Sequence, residues 1–283
     1  MIYVLTVHWN DPKWINLQQK FLRANIRSPY SVCANLEGIV GYSDQFDFVT
    51  HKPGDHPSKL NALAEAVIAR GADSEDLLLF LDGDAFPVRP LDEWMAALLD
   101  GYPLAAVRRI ENAGDVQPHP SFCVTTVRFW RESRGDWRGG ETWVNSRGEI
   151  VTDVGGALLG KLREHGVRWR EILRSNSVDL HPLLFGLYDR HLYHHGAGFR
   201  PPVLRVEGSE KASAYLELKG ASFRQLGNVR PKHVMVALKA MRQRGAYRKV
   251  MENARLLQAQ ADEMFEEIAR DPEFYRRLEA SED

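Results

Sequence analysis

Asp76-Leu77-Leu78-Leu79-Phe80-Leu81-Asp82-Gly83-Asp84 is the stretch that decides the fold. From Leu77 to Leu81 no side chain is polar, so neither face of a strand built from them can meet water. Such a run belongs at the centre of a largely parallel sheet, covered by helices on both sides. It stops at Asp82-Gly83-Asp84, and Ala85-Phe86-Pro87-Val88 continues as a second extended segment. In open sheets of this kind ligands bind beyond the carboxyl ends of the strands. Two carboxylates one glycine apart at that end can converge on a hard divalent cation, and glycine lets the backbone approach a ligand closely. The plainer alternative is a polar turn after a strand.

Working outward, strand-like and helix-like segments alternate. Ile2 to Val7 is a β-rich run closed by His8-Trp9-Asn10-Asp11. Asp11 is expected to cap a helix with Pro12 at its first position, carrying Trp14, Leu17, Phe21 and Leu22 at helical spacing through Asn25. Tyr30 to Ala34 and Phe46 to Thr50 read as short strands. Ser58 is expected to cap a helix whose stripe is Leu60, Leu63, Ala64, Val67 and Ile68, with Gly71 ending it. A helix over Leu91 to Leu99 and a strand over Leu104 to Val107 follow. Glu111 to Val151 is rich in Gly, Pro and aromatics and reads as strands and loops over one end of the sheet. Asp153 is expected to open a helix running to about Glu164, with short strands and loops over 168–206 and helix from Lys232 onward. The alternation predicts βαβ crossovers and an α/β fold. The expected division is a domain of residues 1–205, a mixed central sheet flanked by helices, and a mainly helical C-terminal extension, 206–283, packed on it.

Composition narrows the function. The 283 residues are 44% hydrophobic and 27% charged, as in globular proteins. A formal net charge of −1 gives no global electrostatic case for a nucleic-acid partner. Cys33 and Cys123 lack the paired spacing of a zinc site and read as buried thiols. No apolar run approaches the roughly 18 residues of a membrane span. The first apolar run is too short for a signal peptide, so a cytoplasmic location is expected.

Phe80-Leu81-Asp82-Gly83-Asp84-Ala85 resembles the DxD segment of GT-A fold glycosyltransferases, and His56-Pro57-Ser58-Lys59-Leu60-Asn61-Ala62-Leu63 resembles the H-x-x-x-L-N helix start upstream of it, a region that touches base and ribose. His195-Gly196-Ala197-Gly198-Phe199-Arg200-Pro201 is similar to the late H-x-x-G-x-x-K-P stretch of retaining members, with one residue less of spacing and Arg for Lys. The likeness covers about residues 1–205. It implies a Rossmann-like GT-A domain with Mn²⁺ or Mg²⁺ on the diphosphate of a nucleotide-sugar donor, commonly a UDP-sugar. The acceptor would be a hydroxyl of a glycan, lipid-linked glycan or small molecule. The implied metal ligands are Asp84, Asp82 (which also holds the ribose) and His195, with neighbouring His194 as the alternative. Gly198 and Arg200 would hold the diphosphate. Lys59 and Asn61 would meet phosphate or ribose, and Thr6, His8, Trp9 and Asn10 would face the nucleotide.

The chemistry of the residues agrees. Imidazole accepts Mn²⁺ as well as softer ions, paired Asp prefers hard ones, and no cysteine stands near the His191, His194, His195 cluster to favour zinc. An inverting enzyme needs a general base. Asp153, beside Gly155-Gly156, is the candidate, against a plain helix cap, with Glu111 and Asp115 as rivals; stereochemistry stays open. His119 would line the sugar pocket or form a rigid turn. Trp130, Trp137 and Trp143 would stack on sugars or serve the core.

Two other functions fit the same elements. A sugar nucleotidyltransferase would carry a Gly-rich basic loop after the first strand, and His8-Trp9-Asn10-Asp11-Pro12 is neither. A nucleotide-sugar binding module would bind without turnover. In the C-terminal part, residues 230–255 hold Arg230, Lys232, Lys239, Arg242, Arg244, Arg248, Lys249 and Arg255 against Glu252. That run is either a solvated helix face or a contact for an anionic membrane surface, the inner membrane in particular, or for a charged lipid-linked acceptor. Val250, Ala254, Leu257, Ala261, Met264 and Ile268 form a stripe that would pack on the domain or pair two copies as a homodimer.

Overall fold

The computed structural model describes residues 1–196, 198, 252 and 255–279. The chain divides into two units, Met1–Phe199 with Ala269–Asp283, and Arg200–Ile268. In the first unit β1 (Ile2–Trp9), α1 (Lys13–Asn25), β2 (Tyr30–Glu37), β3 (Phe48–Thr50), α2 (His56–Ala69) and β4 (Leu77–Asp82) follow in turn. Then come β5 (Ala85–Pro87), α3 (Asp92–Leu99), β6 (Leu104–Val107), β7 (His119–Thr126), α4 (Val127–Glu132), the hairpin β8 (Trp143–Val144) and β9 (Ile150–Val151), and α5 (Gly156–Glu164). The short strands β10 (Arg170–Ile172), β11 (Gly186–Tyr188) and β12 (Leu192–His194) complete the order before a short helix, Arg276–Glu279.

The central sheet has seven strands in the order β10-β6-β7-β4-β1-β2-β3. Its neighbours are parallel except β7, which runs antiparallel to both β4 and β6. The expected mixed sheet flanked by helices is therefore present. Leu79 and Leu81 of β4 face Leu22 of α1 and Trp94, Met95 and Leu98 of α3. Leu78 and Phe80 face the opposite way, onto Leu60, Leu63, Ala64 and Val67 of α2, Trp130 of α4 and Leu158 of α5. All four strand residues are wholly buried, each worth about 1.5–3 kcal/mol against exposure. Covering both faces is what lets the strand be apolar without alternation. The thiols of Cys33 and Cys123 are both free and buried, as expected.

A second sheet, β11-β12-β5, is antiparallel and sits where the acidic turn reverses the chain. Leu192, Tyr193 and His194 pair with Pro87, Phe86 and Ala85.

Several element ends differ from the sequence expectation. The first helix starts at Lys13, because Asp11 Oδ1 accepts the Lys13 N–H (3.0 Å) and leaves Pro12 at the cap without a side-chain bond. Asp55, not Ser58, caps α2: its carboxylate accepts the Ser58 N–H at 3.1 Å. The second strand runs three residues past Ala34 because Asn35, Leu36 and Glu37 pair with Val7, His8 and Trp9. The stretch Glu111 to Val151 contains β7, a full member of the central sheet, and α4, which Thr126 caps through the Phe129 N–H (3.1 Å). Asp153 does not open α5. The helix begins at Gly156 behind Gly155, whose φ of 88° and approach to the Pro118 carbonyl leave no room for a side chain.

Of the second unit, residues 255–268 lie on a helix that continues to 270, with Ala261, Met264 and Ile268 buried at the expected spacings of three and four. The basic run 230–255 lies outside the described residues apart from Glu252 and Arg255. Among the described residues no helix is long and apolar enough to cross a membrane.

Candidate metal centre at the end of the central strand

The acidic turn is held from beneath by a residue the sequence did not single out. Gln18, fully buried, donates from Nε2 to the carbonyls of Asp82 (2.8 Å) and Ala85 (2.9 Å), bracing both flanks of Gly83-Asp84. Its Oε1 pairs with His8 Nε2 at 3.2 Å. The available signal was a glutamine inside the apolar stripe Trp14, Leu17, Phe21 and Leu22 of α1.

Above the turn, Asp82, Asp84 and His194 offer ligand atoms that all lie within 4.8 Å of one another. His194 Nε2 stands 3.5 Å from Asp82 Oδ2 and 3.5 Å from Asp84 Oδ1. His56, at the start of α2, places Nε2 3.1 Å from the other Asp82 oxygen, Oδ1. The Gly198 N–H donates to Asp84 Oδ2 at 2.8 Å, while its carbonyl accepts from Trp14 Nε1 at 3.0 Å. A Cβ on Gly198 would fall 2.5 Å from Asp84 Cβ and 2.6 Å from Trp14 Nε1, so only glycine makes this contact. Burial disfavours charge on both aspartates. The imidazoles of His56, His194 and His119 outweigh it at Asp82, and His194 outweighs it at Asp84, so both carboxyls sit below the usual range.

The two adjacent histidines part company. The strand register sets His194 opposite Ala85, on the carboxylate side. His195 is buried among rings instead, 4.6 Å from Trp14 and 5.1 Å from Phe185, with Nδ1 3.1 Å from the Tyr193 hydroxyl. Burial pushes its imidazole down to about 3, and that of His8 down to about 4. His119 enters the site on β7, its ring 6.2 Å from His194 and its Nδ1 accepting the Ser121 N–H. Burial, with Arg109 close by, holds this imidazole well below its ordinary value.

The other sequence candidates fall as follows. Thr6 and His8 are wholly buried on β1, and Thr6 Oγ1 has no hydrogen-bond partner among the described residues. Asn10 is exposed at the mouth of β1 with φ 57°, its N–H on the Glu37 carbonyl (2.9 Å). Trp9 is exposed beside it. Lys59 is buried and ion-paired with Glu37. Asn61 donates to Asp136 (2.7 Å) and accepts the Trp137 N–H (3.0 Å), tying down the loop after α4. Asp153 is exposed and accepts the Val154 N–H. Nearby Asp115 has its carboxyl raised by burial and further by Asp153. Glu111 is engaged by the Tyr188 hydroxyl at 2.6 Å. Trp130, Trp137 and Trp143 are buried, the first two against Phe80. Arg200 lies outside the described residues.

Neither a protein-family model nor a curated protein matches this chain. Among solved structures it is similar to galactosyltransferase LgtC, crystallised with donor and acceptor sugar analogs, at 12% identity and a TM-score of 0.37 over 83% of this chain and 99% of that one. A likeness this distant carries no argument about chemistry, which rests on the side chains themselves.

Proposed function

We propose that this chain is a metal-dependent glycosyltransferase of the GT-A type, moving a sugar from a nucleotide-diphosphate donor to a hydroxyl acceptor. The observation that carries the reading is the convergence of Asp82, Asp84 and His194 at the carboxyl end of the central buried strand. Two carboxylates and an imidazole fit Mn²⁺, with Mg²⁺ second. His194 takes the ligand role in place of His195, whose ring is engaged in aromatic packing. Asp82, Asp84 and His194 would hold a divalent cation, which would supply charge neutralisation for a departing diphosphate without proton transfer.

The chain's own residues orient that centre. Gln18 fixes the turn, and His56 and the Gly198 N–H each hold one carboxylate oxygen, which leaves the remaining oxygens turned toward His194. Asn10 is proposed to meet the nucleoside directly. Lys59 and Asn61 act through Glu37 and Asp136, His8 supports the turn through Gln18, and Thr6 lies beside Leu81 in the sheet. Arg200 remains the proposed diphosphate contact, whereas the Gly198 N–H and carbonyl are taken by Asp84 and Trp14, so Gly198 orients a metal ligand instead. Asp153 is the proposed base for the acceptor hydroxyl, being the exposed one of the three carboxylates, where Glu111 is part-buried on Tyr188 and Asp115 is buried on Asn112. The basic run 230–255 suits an acceptor at a lipid surface.

Thermal unfolding with a panel of nucleotide sugars, with and without Mn²⁺, tests the reading. A UDP-sugar is expected to raise the melting temperature only with Mn²⁺ present, by about 2.7 kcal/mol of stabilisation at a hundred times Kd. Asp84→Asn should abolish that shift and keep the metal-free transition. If no donor moves the transition under either condition, the reading fails. Hydrolysis of the bound donor separates an enzyme from a binding module, and consumption of a nucleoside triphosphate would instead mark a nucleotidyltransferase.

A further inference from the structure

After the second unit the chain returns to the first, and residues 271–279 land behind the two strands that carry the acid–imidazole cluster. Phe274, 2% exposed, sets its ring edge-on to Tyr193 at 4.8 Å and to Phe86 and Phe21 at 6.2 Å each. Phe86 lies two residues after Asp84, and Tyr193 is the neighbour of His194. These two rings are themselves a cross-strand pair, next to the pair His194–Ala85. Successive strand residues point to opposite faces. Phe274 therefore presses on the back of the ladder whose front presents His194 and leads into Asp84.

Further contacts fasten the segment to the far ends of the same strands and to the chain between β10 and β11. Arg89, just beyond β5, makes a two-pronged ion pair with Glu279 (2.7 and 2.6 Å), lies 5.1 Å from the Tyr275 ring, and donates to the carbonyl of Arg190, just before β12. The Leu278 carbonyl accepts the N–H groups of Ser177 (2.8 Å) and Val178 (3.1 Å).

We propose that residues 271–279 are a clasp that sets the spacing of Asp84 and His194, with Phe274 as its positioning residue. The proposal rests on the metal-centre reading above. Ligands must be held within about 0.5 Å to bind a cation well, and ligands on two short strands need backing to stay so. The three residue pairs of β5 and β12 are flanked by backbone bonds from the His195 N–H to the Asp84 carbonyl (3.1 Å) and from the Val88 N–H to the His191 carbonyl (2.8 Å), and the Phe274 ring backs this short ladder from behind.

The test is Mn²⁺ affinity of the full chain, by calorimetry and by the spin-resonance signal of free Mn²⁺. Phe274→Ala is expected to weaken binding by roughly tenfold or more, as for loss of a group that orients a ligand, and Phe274→Leu to restore most of it. Leu158→Ala, on α5 in the opposite core, is expected to lower the melting temperature and leave Mn²⁺ affinity as in the unaltered chain. In metal-free protein the Val88 amide, bonded to the His191 carbonyl at 2.8 Å, should exchange faster in Phe274→Ala and not in Leu158→Ala. Equal affinity of Phe274→Ala and the unaltered chain, or equal loss in Leu158→Ala, overturns the clasp. Should Phe274→Ala fail to fold, Glu279→Gln decides, with weaker Mn²⁺ binding expected and unchanged binding overturning the proposal. If the folded, unaltered chain takes up no Mn²⁺ at all, the metal-centre reading fails and the clasp falls with it.

Discussion

Asp82 and Asp84 keep only 8% and 4% of their surface, although their like charges are separated by one glycine. Neighbouring imidazoles and the Gly198 N–H surround the two carboxylates and offset that cost. The geometry distinguishes the adjacent histidines. His194→Ala should weaken Mn²⁺ binding by roughly tenfold or more, since loss of even an outer-shell group costs that much. His195→Phe should leave it nearly unchanged, because an aromatic ring still fills the space between Trp14 and Phe185. A calorimetric titration of both variants checks this, and the reverse pattern would return the ligand role to His195. The acidic pair was legible because an unbroken apolar strand points at it. The choice of histidine was not, because it depends on which face of β12 each residue takes, and that register is fixed by pairing with β5, more than a hundred residues earlier. Gln18 was hidden for a related reason: its use is visible only when α1 is seen against the turn.

At the scale of elements, the apolar stripes of α1 and α2 and the buried β4 are legible in the sequence, whereas helix starts lie one to three residues from where the sequence puts them. A cap is decided by where the preceding chain turns, and several Asp and Ser residues compete for it. Asp92 illustrates how much such a carboxylate does outside its own helix. It accepts the N–H groups of Arg27 (2.9 Å) and Ser28 (2.8 Å), pinning the turn between α1 and β2 to α3. Burial opposes its charge, but these bonds win and hold the carboxyl below its ordinary value. Asp92→Ala should therefore cost about 1 kcal/mol near neutral pH, below the usual range for charged hydrogen bonds because these bonds are exposed to solvent. A depressed carboxyl stabilises above its unfolded value and loses that contribution as pH falls through the folded one. The gap between Asp92→Ala and the unaltered chain should accordingly be full at about pH 7 and shrink at about pH 3 in urea melts. A gap that widens in acid would refute the assignment.

For the whole molecule, the sequence conveyed a mixed α/β sheet but not the antiparallel insertion of β7, since its Ser121 to Thr125 segment carries the same buried face-to-face pattern that a parallel strand would. The small β11-β12-β5 sheet was equally invisible, being built from three-residue strands far apart in the chain. Global charge was plain. A formal net charge of −1 and a sequence pI of about 6.8 predict lowest solubility close to neutrality. Light scattering should show association falling from pH 6.8 to about pH 8.5 as net negative charge grows. The order of parts along the chain has a consequence for synthesis. A ribosome adding about 5–20 residues per second needs roughly 3–14 s to pass from Arg200 to Ile268 before the last piece of the first unit exists. During that interval the rings of Phe21, Phe86 and Tyr193 await Phe274, so the nascent polypeptide presents a greasy notch of the kind that holding chaperones engage, and the first unit closes only when Phe274 emerges.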